Sequence, residues 1–221
     1  MTSQSLLCLA SGSPRRRQLL DSLGVPFFVR SAASEVEEVV LGEGRGEEAE
    51  AVALGRAEAK GKAVLADLLV EQHPVRTVLA ADTVVHLGRR LLDKPADREQ
   101  ALEFLQTLSG QRHGVVTALW FHHAGAVHTS WRRTWVEFDE LTPELMEAYV
   151  DTGEPFDKAG GYGIQGPGAA LIRGIEGCYY NVMGLPVNDT YRLLKESGFC
   201  WRLGGPTRAS SPSGRDRLGT P

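Results

Sequence analysis

Val78-Leu79-Ala80-Ala81-Asp82-Thr83-Val84-Val85 decides the fold class. Its first four residues form an unbroken apolar run, the pattern of a strand covered on both faces, and the run ends in an acid and a hydroxyl. Leu6 to Ala10 is a second such run, and it ends in Ser11-Gly12-Ser13-Pro14-Arg15-Arg16-Arg17. Helical periodicity surrounds both, so strands and helices alternate irregularly. That alternation predicts an α/β fold with a central mixed sheet flanked by helices. Ligands of open α/β sheets gather at strand ends, which places the expected site where these two runs turn polar.

Working outward, Ser13 is a good helix N-cap and Pro14 a good first helical residue. Leu19, Leu20 and Leu23 then share one face, and Gly24 stops the helix. Residues 27–29 read as extended, and residues 47–72 as one long helix rich in Ala, Leu and Glu. Residues 78–81 are expected as a buried strand, followed by a hairpin of 84–87 and 91–92 turning at Gly88-Arg89. Asp97 caps a helix carrying Ala101, Leu102, Leu105 and Leu108, ended by Ser109-Gly110. Residues 113–121 and 127–138 read as paired strands around Ala124-Gly125-Ala126. Thr142-Pro143 opens a helix to Val150, residues 169–175 read as a strand, and Pro186 opens a last helix through Glu196. Residues 1–201 form the expected domain. Residues 202–221 are Gly, Pro, Ser and Arg with almost no apolar side chains, and read as a disordered, solvated tail.

The 221 residues suffice for a sizeable core, and 42% hydrophobic and 24% charged residues are those of a soluble globular chain. A net charge of −4 supplies no global attraction for nucleic acid. No apolar run is long enough to span a membrane, and the N-terminus lacks the basic region and apolar core of a signal peptide. Cys8, Cys178 and Cys200 are widely spaced, with neither a CxxC pair nor a zinc pattern, which points to free thiols in a reducing cytoplasm.

The densest chemistry lies in Asp157-Lys158-Ala159-Gly160-Gly161-Tyr162-Gly163-Ile164-Gln165-Gly166, where four glycines stand beside an acid, a base and an amide. Glycines let backbone N–H groups approach a ligand, lysine adds a point charge, and Gln165 offers both a donor and an acceptor. A phosphorylated, hydrogen-bonding small molecule such as a nucleotide suits that set; a plain surface turn is the bland alternative. Three arginines, Arg15 to Arg17, at a helix N-terminus oppose the helix dipole, which favours an anion beside them. Gly55 to Ala63 superficially resembles a phosphate loop, but its spacing is wrong, it lacks the Ser or Thr that holds magnesium, and it sits inside a helix. His122, His123 and His128 on the expected hairpin read as solvated rather than as metal ligands.

Taken together, these segments resemble the Maf family of nucleoside triphosphate pyrophosphatases. Ser11-Gly12-Ser13-Pro14-Arg15-Arg16 is similar to its SxSPRR signature, Ala81-Asp82-Thr83 to its (G/A)DT, and Leu92-Asp93-Lys94-Pro95 to its (E/G)KP. Ser109-Gly110-Gln111-Arg112-His113 with Thr117 resembles its SGxxH…T segment, Asp157 to Gly166 its DKAGxYGIQG loop, and Asn181 to Pro186 its NVxGLP. These six motifs are in order along the chain, the match runs from about Leu7 to Leu194, and the tail lies outside it.

The resemblance implies a Maf/inosine-triphosphatase-like fold. It also implies a cytoplasmic enzyme, often a homodimer, that cleaves a nucleoside triphosphate to monophosphate and pyrophosphate with a divalent metal, usually magnesium or manganese. Arg15, Thr83 and Gln165 occupy the positions that mark the family's dTTP/UTP branch. Its sister branch, acting on 7-methyl-GTP, carries SPWR, SDQ and a Glu in the loop. A triphosphate carries about four negative charges. Ser11, Arg15, Arg16, Lys94 and Lys158 are the candidate phosphate or substrate contacts. Asp82 is the candidate metal ligand and water-orienting carboxylate, and Glu38, in the acidic stretch 35–38, the second oxygen ligand. A non-catalytic nucleotide-binding regulator of cell division is the competing reading. One departure stands out: the family places a lysine in the long helix, and aligned on Leu54-Gly55 that position is Glu58, leaving Lys60 or Lys62 as substitutes. No methyltransferase-like domain, which some members carry, is expected after Trp201.

Overall fold

The computed structural model describes residues 5–31 and 48–205 of the chain. Its seven-stranded sheet comprises β1 (Leu7–Leu9), β2 (Phe27–Val29), β3 (Val78–Leu87), β4 (Arg90–Leu92), β5 (Arg112–His123), β6 (Ala126–Phe138) and β7 (Ile172–Glu176). The strand order is β2-β1-β3-β5-β6-β7, and β4 pairs with β3 beyond β1. β1 is parallel to both neighbours, and the other pairings are antiparallel, so the sheet is mixed as expected.

The helices are α1 (Pro14–Ser22), α2 (Glu48–Val70), α3 (Arg98–Leu108), α4 (Pro143–Asp151), the short α5 (Tyr179–Val182) and α6 (Val187–Glu196). Local chemistry starts three of them: Ser13, Asp97 and Thr142 each accept a backbone N–H at the N-cap of α1, α3 and α4. Among the described residues, helix α2 is the helix that covers one sheet face. Ala49, Val52, Ala53, Ala57, Val64 and Leu68 recur along its buried stripe and meet Val78, Ala80, Val84, Val116, Ala118 and Trp120. Fully burying a side chain such as Leu68 stabilises by roughly 1.5–3 kcal/mol. Small residues bring this helix close. At Gly61 a side-chain Cβ would collide with the Trp120 ring. The other face holds two clusters: α1 and α6 with Leu79, Ala81, Leu119 and Phe121, and α3 and α4 with Val85, Val115 and Val136.

Two expectations change. The run at Val78 and the first arm of the hairpin are a single strand, so Asp82 and Thr83 sit in mid-strand. β5 pairs without a break through Ala81–Leu119, Asp82–Ala118 and Thr83–Thr117, and both polar side chains find partners, so nothing ends the strand there. What ends beside Asp82 is the neighbour: β1 pairs only as far as Leu79, and β4 joins only at Val85. Secondly, residues 169–171 belong to a 3-10 turn, Gly166–Leu171, and β7 starts at Ile172. Gly166 at φ 69° and Pro167 shape that turn, and buried Leu171 anchors it. Residues 35–38 and 206–221 lie outside the described residues. No described helix is long and apolar enough to cross a membrane. Cys8, Cys178 and Cys200 form no disulfide.

Candidate active site

The interval between β1 and β4 opens the edge of β3, and a cleft of about 550 Å³ occupies it. Ser11, Arg15, Arg16, Asp82, Thr83, Lys94, Lys158 and Gln165 all line it, so eight of the nine expected site residues share one cavity. The ninth, Glu38, lies outside the described residues. Successive strand residues point to opposite faces, so Asp82 leans toward α2 and Thr83 toward α1.

On the α2 side, Asp82 is nearly buried, at 6% exposed. Lys60 Nζ meets its Oδ1 at 2.5 Å, whereas its Oδ2 is buried with no hydrogen-bond partner. A buried carboxylate oxygen in that condition calls for a ligand. It suits a hard cation, because magnesium is commonly held by one or two carboxylates plus substrate phosphates. No cluster of three or more His, Cys, Asp or Glu able to hold a metal exists among the described residues, so phosphate oxygens would complete such a site. Arg56 clamps Asp93 through two bonds, of 2.5 and 3.2 Å, and so ties α2 to the segment carrying Lys94.

Lys60 corrects the sequence alignment of the long helix. Glu58 pairs with Lys62 one turn on, at 2.7 Å, away from the cleft, while Lys60 lines the cleft. Of the two substitutes, Lys60 is therefore the one at the cleft, two residues beyond the position aligned on Leu54-Gly55.

On the α1 side, Arg16 turns back into the protein. Its Nε donates to the Gly184 carbonyl at 2.8 Å, and its two NH groups donate to Ser11 Oγ at 3.2 Å and Thr83 Oγ1 at 3.0 Å. Burial holds this guanidinium below the ordinary arginine value, opposed by Asp82 nearby. Three of its five N–H groups thus brace three separate segments. Thr83 Oγ1 also meets Thr117 Oγ1 at 2.9 Å, and Thr117 is seated by Asn181. In the sequence Thr117 and Asn181 are only motif letters; their contact spans 64 positions, and no local pattern announces it.

The glycine-rich loop closes the cleft. Gly160 has φ 73° and packs against Val85 where a Cβ would crowd it, while its N–H bonds Asp93 O at 3.0 Å. Tyr162 is buried beneath, and its hydroxyl lies 2.6 Å from His113 Nε2. Burial pushes the His113 pKa down to about 4 and the Tyr162 phenol up. Lys158 Nζ donates to Glu154 O at 2.7 Å and Asp157 Oδ1 at 2.5 Å, and Asp157 also approaches Arg15 at 3.5 Å. Asp157 thus bridges two cations at the cleft. Gln165 is exposed at the rim.

Known proteins match most of this chain. The family model described as Maf-like protein matches residues 6–197. The dTTP/UTP pyrophosphatase of Halalkalibacterium halodurans is 44% identical over 197 residues, covering 89% of this chain and 98% of that protein. The proteins of the same name from Chlorobaculum tepidum and Symbiobacterium thermophilum are each 42% identical, over 199 and 200 residues, with 88% and 90% of this chain and 96% and 97% of theirs covered.

Proposed function

The chain belongs to the Maf family, and from that premise we propose that it hydrolyses dTTP and UTP to the nucleoside monophosphate and pyrophosphate. The observation that carries this reading is the convergence of eight motif residues on one cleft around a buried carboxylate oxygen with no protein partner. The names of the similar pyrophosphatases support the same substrates.

Lys158, Lys94 and Arg15 are the cations for the triphosphate. Arg15 and Lys158 are both held by Asp157, so a phosphate group exchanges with that carboxylate rather than meeting bare charge. Ser11 donates to a phosphate oxygen, and Arg16 braces the floor through three of its five N–H groups. Lys60 keeps Asp82 Oδ1 occupied, which leaves Oδ2 for the chemistry. Asp82 orients a water and accepts its proton as the new oxygen–Pα bond forms and the Pα–O–Pβ bridge breaks, with pyrophosphate leaving. A magnesium or manganese ion held by Asp82, with Glu38 as a further ligand, supplies charge neutralisation for the phosphate oxygens when bound. The active form is a homodimer in a reducing cytoplasm; the family resemblance supports the pairing, which light scattering tests, and the unpaired thiols support the compartment.

A panel of nucleoside triphosphates with magnesium, scored for pyrophosphate against single phosphate, tests the reading. Pyrophosphate equal to monophosphate, from dTTP and UTP above all, is the expected result. Single phosphate with a diphosphate left behind overturns it, and no turnover at all favours a nucleotide-binding regulator.

A further inference from the structure

Two hydroxyls line the cleft on either side of the Arg16 guanidinium, and the bonds around them give them opposite characters. Ser11 Oγ accepts from Ser13 N–H at 3.3 Å and from Arg16 at 3.2 Å, so its two acceptor positions are filled and its hydrogen remains to be donated. Thr83 Oγ1 accepts from Arg16 at 3.0 Å and lies 2.9 Å from Thr117 Oγ1. Either threonine alone could donate in that contact. Thr117 Oγ1, however, also lies 2.9 Å from the Asn181 carbonyl oxygen, which can only accept. Thr117 therefore spends its single hydrogen on Asn181, and the hydrogen between the threonines comes from Thr83.

The direction is locked from behind. Asn181 Oδ1 accepts the Thr117 N–H at 3.2 Å, and its amide donates to Val115 O at 2.9 Å and Thr134 Oγ1 at 3.1 Å. Thr117, Thr134 and Asn181 are all fully buried, so solvent does not reach the chain to reverse it. Toward the cleft, Thr83 keeps one lone pair and no hydrogen.

Ionised phosphate oxygens accept and do not donate, so Thr83 has nothing to offer them. It matches a donor, and in a pyrimidine nucleotide the ring N3–H of uracil or thymine is one. Cytosine presents a bare acceptor nitrogen at that same ring position. We propose that Thr117, seated by Asn181, is a positioning residue that fixes Thr83 as an acceptor only, and thereby selects bases with a ring N–H over cytosine. This selection presupposes the pyrimidine nucleotide reading above.

The test compares kcat/KM for UTP and CTP in the wild type, Thr117→Val and Thr117→Ser. Valine keeps the shape but frees the Thr83 hydrogen, so the UTP to CTP ratio falls by about tenfold, while serine keeps it within about threefold of wild type. A valine variant that loses both activities equally, with the ratio unchanged, overturns the proposal, because that is what a merely structural threonine does. Neutron diffraction from wild-type crystals reads the same claim without substrate and without a variant that must fold. A hydrogen on Thr83 Oγ1 directed at Thr117 supports it; a hydrogen on Thr117 Oγ1 directed at Thr83 overturns it. If the wild type cleaves neither nucleotide, the pyrimidine reading fails, and the neutron result alone decides whether Thr117 orients Thr83.

Discussion

The two faces of β3 at the cleft are built from different interactions. On the α2 face, Asp82 meets Lys60, Arg56 clamps Asp93, and further along Glu50 pairs with Arg133. On the opposite face, Thr83, Thr117, Asn181 and Thr134 form a chain of uncharged groups that ends on a single guanidinium. His113, on that same face, is held neutral against Tyr162, and the ion pair of Arg132 with Asp189 does not line the cleft. Ion pairs exchange partners at modest cost when a charged ligand arrives. Buried neutral hydrogen bonds keep their direction, because each group left unpaired costs roughly 1–3 kcal/mol. One strand thus separates a face where ion pairs surround the buried carboxylate of Asp82 from a face where neutral bonds fix the direction of the Thr83 hydroxyl.

The largest expected effect falls on the ionic face. Asp82→Asn keeps the shape but removes the charge, and turnover of dTTP should fall by about 100-fold or more with the melting temperature little changed. Activity within a few-fold of wild type would remove Asp82 from the chemistry. The neutral face should fail instead in stability, and in acid. An unfolded histidine takes its proton near the ordinary value of 6.5, while buried His113 resists until about 4. Stability therefore falls as pH drops from 6.5 toward 4 and levels off below that, by a contribution on the order of 3 kcal/mol. Thermal melts of His113→Gln across this window should show a shallower acid slope than wild type, and equal slopes would show that His113 does not titrate as described.

Gln165 belongs to neither face, and its effect should be smaller. The wild type should turn over dTTP and UTP at least about tenfold better than GTP or 7-methyl-GTP, and Gln165→Glu should erode that preference while leaving the melting temperature in place. A wild type that prefers 7-methyl-GTP breaks the branch assignment. Glu58→Ala should do least of all. Its pair with Lys62 is a surface pair one turn apart, worth about 0.5 kcal/mol at most, so kcat/KM within about twofold of wild type is expected. A large loss would return Glu58 to the site and dislodge Lys60 from the role assigned here.

The helices with side-chain caps were legible in the sequence, because Ser13, Asp97 and Thr142 act within four residues of their own positions. The continuity of β3 was not. An acid and a hydroxyl in mid-strand look like an ending until Lys60, Arg16 and β5 are seen to satisfy them. Likewise Ala169 and Ala170 continue the apolar run of Leu171 and Ile172, but the preceding Gly166-Pro167-Gly168 curls them into a 3-10 turn. In the cleft, residue identities were readable from motifs, whereas their bonds were not. Arg16 to Gly184, Lys60 to Asp82 and Thr117 to Asn181 each join distant segments, and which atoms of Arg16 remain for a ligand follows only from those bonds.

The contact of Gly61 with Trp120 has its own consequence for how this chain can vary. Lys60 reaches Asp82 because α2 rests directly on the indole at the very next residue. Even a single methyl group at position 61 would act as a wedge, tilting the helix outward and carrying the ammonium off its carboxylate. The reaction's tolerance is therefore set partly by a clearance between two layers, at a residue with no polar side chain and no place in the cleft wall. Drift at the surface of α2 can be wide, while drift at this one contact is felt as lost chemistry.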